Sequence, residues 1–150
     1  EELLEKSEIF QIWFDPDIKK SIIKEATYND YSPHDFMNET SNGITKKTIV
    51  GKGSKMEMDS KDIEIYEFSV LNKITLELPF KKNAFYSCFI INGGLEFNNT
   101  KLIKGDFFKF KSTEDFYIVA TTDLRLFVIK SPINLNYKTY YEDAWFYLFF

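Results

Sequence analysis

The chain has 150 residues, room for one ordinary domain and enough at that length to bury roughly 70% of the unfolded chain's surface. Hydrophobic residues make up 44% and aromatics 18%, with 16 Phe and 9 Tyr, so the expected core is one of large rings and β-branched side chains. The net charge is -4, with 19 basic residues scattered among 23 acidic ones, which argues against nucleic-acid binding. No apolar run approaches the ~20 residues of a membrane-crossing helix, so no membrane span is expected.

A single cysteine, Cys88, excludes an intrachain disulfide, and no charged leader followed by an apolar run opens the sequence. A cytoplasmic protein is expected. The first residue is Glu1 rather than Met, as in a processed form or a piece of something longer.

Residues 1–14 form an N-terminal segment in which Ile9-Phe10-Gln11-Ile12-Trp13-Phe14 has strand composition and stops at Asp15-Pro16. Residues 15–43 lack sustained periodicity. Asn29-Asp30, Ser32-Pro33 and Ser41-Asn42-Gly43 punctuate them, predicting a long crossing loop.

Strands then follow at about ten-residue spacing, over 44–50, 63–71, 74–78, 84–92, 95–97, 101–103, 106–110, 116–120 and 124–130. This pattern predicts an all-β barrel or sandwich over residues 44–132. Within 63–71 the apolar phase slips between Ile65 and Phe68, which predicts a β-bulge near Tyr66. Asn92-Gly93-Gly94 and Asn98-Asn99 both predict hairpins. The strand at 124–129 is apolar on both faces and requires cover on its outer side, to which the long loop would contribute. Residues 133–150 form an aromatic tail containing Tyr137, Tyr141, Trp145 and Phe146. A segment this apolar must dock, on this domain or on a partner.

Phe10-Gln11-Ile12-Trp13-Phe14 followed by Pro16, the 65–71 strand, and Asn92-Gly93-Gly94 leading through Leu102-Ile103-Lys104-Gly105-Asp106 to residues 124–131 resemble, in order and spacing, the C-terminal half of pirin-family proteins. These are two-barrel members of the cupin superfamily, and the resemblance runs from Ile9 to Pro132. It implies a cupin-type jelly roll, with a long N-terminal loop and a short C-terminal tail. It also implies a missing first barrel, the half in which family members keep their metal and some have quercetin dioxygenase activity. Ala26-Thr27-Tyr28-Asn29 departs from the family, where a Tyr followed by Glu and Gln is usual.

A catalytic cupin site needs about three imidazoles and a carboxylate. The spacing implied by the resemblance puts Lys81, Asn83, Ser87 and Phe108 at the four ligand positions, and the chain has one histidine. No metal, no cofactor and no catalytic residue are therefore expected. His34 is read as a solvated turn residue and Cys88 as a small buried apolar one. Gly51-Lys52-Gly53-Ser54-Lys55 lacks the spacing of a phosphate loop and is read as a hairpin connection. Glu64 and Glu67 are placed together on the water side of their strand.

Two functional readings remain open, and a third depends on residues outside the chain. The leading one is a non-catalytic barrel serving as a packing surface for another barrel or protein chain, including a second copy, with Gln11, Trp13 and the tail at the interface. The alternative is a barrel whose rings Phe85, Phe89, Phe108 and Phe110 enclose a small apolar ligand. The third is a metal-dependent dioxygenase, which requires the missing half.

Overall fold

The computed structural model describes residues 9–76, 83–112 and 116–139. Nine strands carry the architecture: β1 (Met37–Ser41), β2 (Ile44–Val50), β3 (Glu64–Val70), β4 (Ala84–Asn92), β5 (Gly94–Phe97), β6 (Thr100–Ile103), β7 (Phe107–Lys111), β8 (Ile118–Ala120) and β9 (Leu124–Pro132). They build a six-stranded antiparallel sheet, ordered β1-β2-β3-β9-β4-β7, and a three-stranded one, ordered β6-β5-β8. One single-turn helix, Ile18–Ser21, and a 3₁₀ turn, Pro33–Asp35, are the helical elements among the described residues.

The strict alternation of β4 and β9 fixes the inner face. Ala84, Tyr86, Cys88 and Ile90 on β4 and Leu124, Leu126 and Val128 on β9 are all buried, and they meet Leu95, Ile118 and Ala120 of the smaller sheet. Phe97, Phe108, Phe110 and Phe116 pack against this core.

Several elements differ from the sequence expectation. Residues 9–14 join no ladder. Their contribution is one ring: Phe10 sits edge-on to Phe89 at 4.7 Å and stacks on Phe127 at 5.8 Å, so this segment supplies part of the outer cover that β9 requires. The stretch 15–43 ends in a strand, because Asn42 (φ 50°) and Gly43 (φ 77°) form the two-residue turn of the β1–β2 hairpin. All five residues of β1 are exposed, so hydrophobic periodicity leaves no trace there.

The irregularity near Tyr66 lies in the neighbouring strand. Thr48 pairs with Tyr66 and Val50 with Ile65, so the extra residue is Ile49 of β2, while β3 runs without a break against β9. The Asn98-Asn99 hairpin forms as expected, with φ of 46° and 64°. The Asn92-Gly93-Gly94 turn, in contrast, carries the chain from the large sheet to the small one, since β5 pairs with β6 and β8 and not with β4. Gly93 (φ 83°) is required there: a Cβ would lie 2.1 Å from the Asp123 carbonyl oxygen. Of the strand expected over 74–78, Thr75 forms a bridge to Val119, and residues 77 and 78 lie outside the described residues.

Candidate functional site

The inner face of the large sheet is built in transverse rows. Register places Glu64 of β3 opposite Lys130 of β9, Lys130 opposite Tyr86 of β4, and Tyr86 opposite Phe110 of β7. The next row holds Thr48, Tyr66, Val128, Cys88 and Phe108, and the one after it Glu39, Lys46, Phe68, Leu126 and Ile90. Side chains at equivalent positions of adjacent strands project to the same face. The sequence therefore brings polar and aromatic groups together inside the sandwich.

The polar groups form a continuous chain across four strands. Glu39 pairs with Lys46 at 2.9 Å, and the Lys46 ammonium lies 5.2 Å from the centroid of the Tyr66 ring. The Tyr66 hydroxyl donates to Glu64, and Lys130 Nζ donates to Glu64 Oε1 at 2.7 Å. Lys130 is buried, and its ammonium and the Glu64 carboxylate offset each other's desolvation. Burial first, then the hydrogen bond to Glu64, raises the Tyr66 hydroxyl well above its ordinary value of 10.0, so it stays a neutral donor.

Beside this chain lies an aromatic cluster. Tyr86 stacks on Phe110 at 5.3 Å, Phe97 lies 5.1 Å from Phe108 and 5.2 Å from Phe110, and Phe116 lies 4.5 Å from Phe110. Centroid spacings of this size mean rings in mutual contact.

The four rings expected to line the interior divide between the two faces of the sheet. Phe108 and Phe110 point inward, into the cluster just described. Phe85 and Phe89 occupy the alternate positions of β4 and point outward, Phe89 against Phe10 and Phe85 beneath the Lys111 ammonium. Parity separates them, because Ala84, Tyr86, Cys88 and Ile90 already define the inward set.

The carboxylates Glu64 and Glu67 also part company. With the bulge in β2 rather than β3, a spacing of three puts them on opposite faces. Glu64 enters the interior chain, contrary to the expectation that it faces water. Glu67 lies outside with Arg125 at 3.1 Å and Lys47 at 3.8 Å.

Among the expected interface residues, Gln11 is exposed, Trp13 is 85% exposed, and the half-buried Tyr137 donates to the Asp15 carbonyl at 3.3 Å. Tyr141, Trp145 and Phe146 lie outside the described residues. His34 is exposed in the 3₁₀ turn. Its neighbour Asp35 is held down to about 2 by Lys55 and by Ser32. Cys88 is fully buried, and burial pushes its thiol up, which leaves it a poor nucleophile. Ser54 of the glycine-rich stretch closes a turn, its N–H donating to the Gly51 carbonyl at 3.1 Å.

The donor set of the described residues does not fit a metal. Among the described residues no group of three or more His, Cys, Asp or Glu side chains converges on one point. Of the ligand positions implied by the resemblance, Asn83 is exposed, Ser87 lies on the outward face, Phe108 is a core ring, and Lys81 lies outside the described residues.

Sequence reasoning missed the interior pair. Its signal was present: Lys130 shares the parity of Leu124, Leu126 and Val128, so a regular β9 had to turn it inward, where a buried ammonium needs a carboxylate.

No family model and no curated protein sequence matches the chain. Solved structures do resemble it in fold. An RmlC-like cupin from Shewanella frigidimarina is 13% identical, over 71% of this chain and 92% of that one, with a TM-score of 0.57. Quercetin 2,3-dioxygenase from Acinetobacter baumannii is 16% identical, over 80% of this chain and 44% of that one, with a TM-score of 0.65. KdgF from a Halomonas species is 14% identical, over 73% of this chain and 97% of that one, with a TM-score of 0.54. The fold is thus a cupin-type jelly roll, and the chain spans less than half the length of the Acinetobacter dioxygenase it resembles. No helix among the described residues is long and apolar enough to cross a membrane.

Proposed function

We propose that the chain is a non-catalytic cupin barrel of a pirin-like protein, and that it works by packing against a second barrel. The observation that carries this reading is the N-terminal segment. Ile9, Trp13, Ile22, Ile23 and Tyr28 are each 75–86% exposed within twenty residues, more than the barrel's own exposed apolar side chains, of which Ile103 at 66% and Phe107 at 61% stand out most. Scattered apolar residues are ordinary on a surface; a run of them on one segment marks an interaction site.

Two further observations support the reading. The interior holds an ion pair and a packed aromatic cluster where a catalytic barrel needs converging imidazoles. The Acinetobacter dioxygenase, more than twice the span matched here, accommodates a barrel of this kind as one part of a longer chain. A dioxygenase role for the whole protein would then belong to residues outside this chain.

The test is to follow Trp13 in the intact native gene product. With Trp145→Phe as the background, because the chain holds two tryptophans, the Trp13 emission should be blue-shifted and shielded from acrylamide there, and Trp13→Asp combined with Ile23→Asp should separate the partner without changing the circular dichroism of the barrel. A Trp13 as accessible in the intact product as in the isolated barrel would defeat the packing role. Stoichiometric iron, zinc or nickel bound inside the isolated barrel would defeat the non-catalytic one.

A further inference from the structure

The two sheets are unequal, and the difference leaves part of the inner wall without a facing strand among the described residues. Six strands face three, and on the β1–β2 side the small sheet extends only as far as the bridge between Thr75 and Val119. Between this overhang and residues 74–76 lies an open cleft of about 580 Å³. Its depth is apolar, formed by Ile44, Phe68, Ile74 and Leu76, and its wall carries the Glu39–Lys46 pair. Small-molecule sites commonly combine this range of volume with an apolar floor and a few placed polar groups.

The two charges of the pair are not held alike. Lys46 lies on β2, between two partner strands, with its side chain 31% exposed and its ammonium over the Tyr66 ring. Glu39 lies on the edge strand, its side chain 58% exposed and Lys46 its one ionic partner within 4 Å among the described residues. A carboxylate facing water exchanges cheaply, since an exposed pair of this kind contributes no more than about 1 kcal/mol. The ammonium stays in place, at the edge of an apolar floor.

We infer that the cleft between the β1–β2 overhang and residues 74–76 binds a small molecule with an apolar body and a carboxylate head, the body on Ile44, Phe68, Ile74 and Leu76 and the head displacing Glu39 from Lys46. A carboxylate rather than an amine is selected because the group left in place is a cation and the group displaced is an anion. The site is separate from the aromatic cluster, and it stands or falls independently of the packing role proposed above.

The experiment uses octanoate, octanol and octylamine as probes on the intact chain, followed by calorimetry and by the methyl resonances of Ile44 and Ile74. Octanoate should bind saturably and shift both methyls, with octanol and octylamine weaker by about tenfold or more, the size expected of one charged hydrogen bond. Lys46→Met should abolish that preference, and Glu39→Gln should tighten octanoate by about threefold by removing the competitor. Ser41→Trp, an exposed position on the rim, should block all three probes at unchanged stability. Equal binding of the three probes, indifference to Lys46→Met, or no saturable shift at Ile44 and Ile74 would each overturn the assignment.

Discussion

The two ends of the large sheet are made from the same kind of strand and reach opposite outcomes. At the β4–β7–β9 end the small sheet closes over the inner face, and Tyr86, Phe108, Phe110 and Phe97 meet in contact. At the β1–β2 end the inner face continues without a facing strand among the described residues, and there a charged pair, Glu39–Lys46, borders the apolar floor. Stability is concentrated where two layers meet, and surface available for recognition lies where one layer outruns the other. The polar chain from Glu39 to Lys130 runs from the open end to the closed one, so its members differ in energetic weight with depth.

The contrast breaks most visibly at the closed end. Leu126 is fully buried at the centre of β9, and Leu126→Ala should cost about 2–5 kcal/mol, through lost transfer energy and the cavity left behind. Met37→Ala on the exposed β1 should stay within about 0.5 kcal/mol. Urea denaturation of the two variants compares the ends directly; equal losses would mean that the overhang is packed as tightly as the core.

The next effect concerns the interior pair. Lys130→Met leaves the Glu64 carboxylate under-compensated in a largely buried position, for a loss of about 2–4 kcal/mol. Lys130→Met with Glu64→Leu should recover much of it, because removing both charges also removes both desolvation costs. A double variant as unstable as the single one would show that the pair is not the reason for the loss.

Tyr66 links the two ends, and its effect is smaller and depends on pH. Its folded-state value is raised above the unfolded 10.0, so the protonated form is the one that folding favours. Its contribution is fully present below pH 10 and is lost progressively as pH rises above 10. Tyr66→Phe should cost about 1 kcal/mol at neutral pH, through the lost donor to Glu64, and should flatten the alkaline decline in stability. An alkaline limb that is the same in Tyr66→Phe and wild type would assign the decline to another group.

How much of this was legible in the sequence depends on the range of the deciding interaction. Alternation along 124–129 is a local property of that strand, and it grouped Leu124, Leu126 and Val128 on one face, which is the buried one. Along 84–92 both parities carry large apolar side chains, so the inward set, Ala84, Tyr86, Cys88 and Ile90 rather than Phe85 and Phe89, is decided by the sheet and not by the strand. β1 was illegible because Met37-Asn38-Glu39-Thr40-Ser41 has one β-branched residue and no buried side; among the described residues the strand it pairs with is β2. The turn at Asn92-Gly93-Gly94 was recognised as a turn, but whether a turn closes a hairpin or changes sheets is decided by β5 finding β6 and β8. The interior pair required knowing which strand carries the bulge, a fact of register that one strand alone does not contain.

Glu67 supplies the smallest effect and the sharpest check of that register. It lies three residues from Glu64 on the same strand, and the absence of a bulge in β3 puts it outside with Arg125 and Lys47. Arg125 is about half exposed, so its pair with Glu67 is screened by solvent, and Glu67→Gln, which keeps the shape of the partly covered side chain, should cost about 1 kcal/mol or less and lose the Arg125 share of that in high salt. Glu64→Gln, an equally conservative change, should cost more and respond little to salt, because its partner Lys130 is buried. If the two substitutions behaved alike in size and in salt dependence, the two carboxylates would share a face after all, and the extra residue would have to sit in β3 instead of at Ile49.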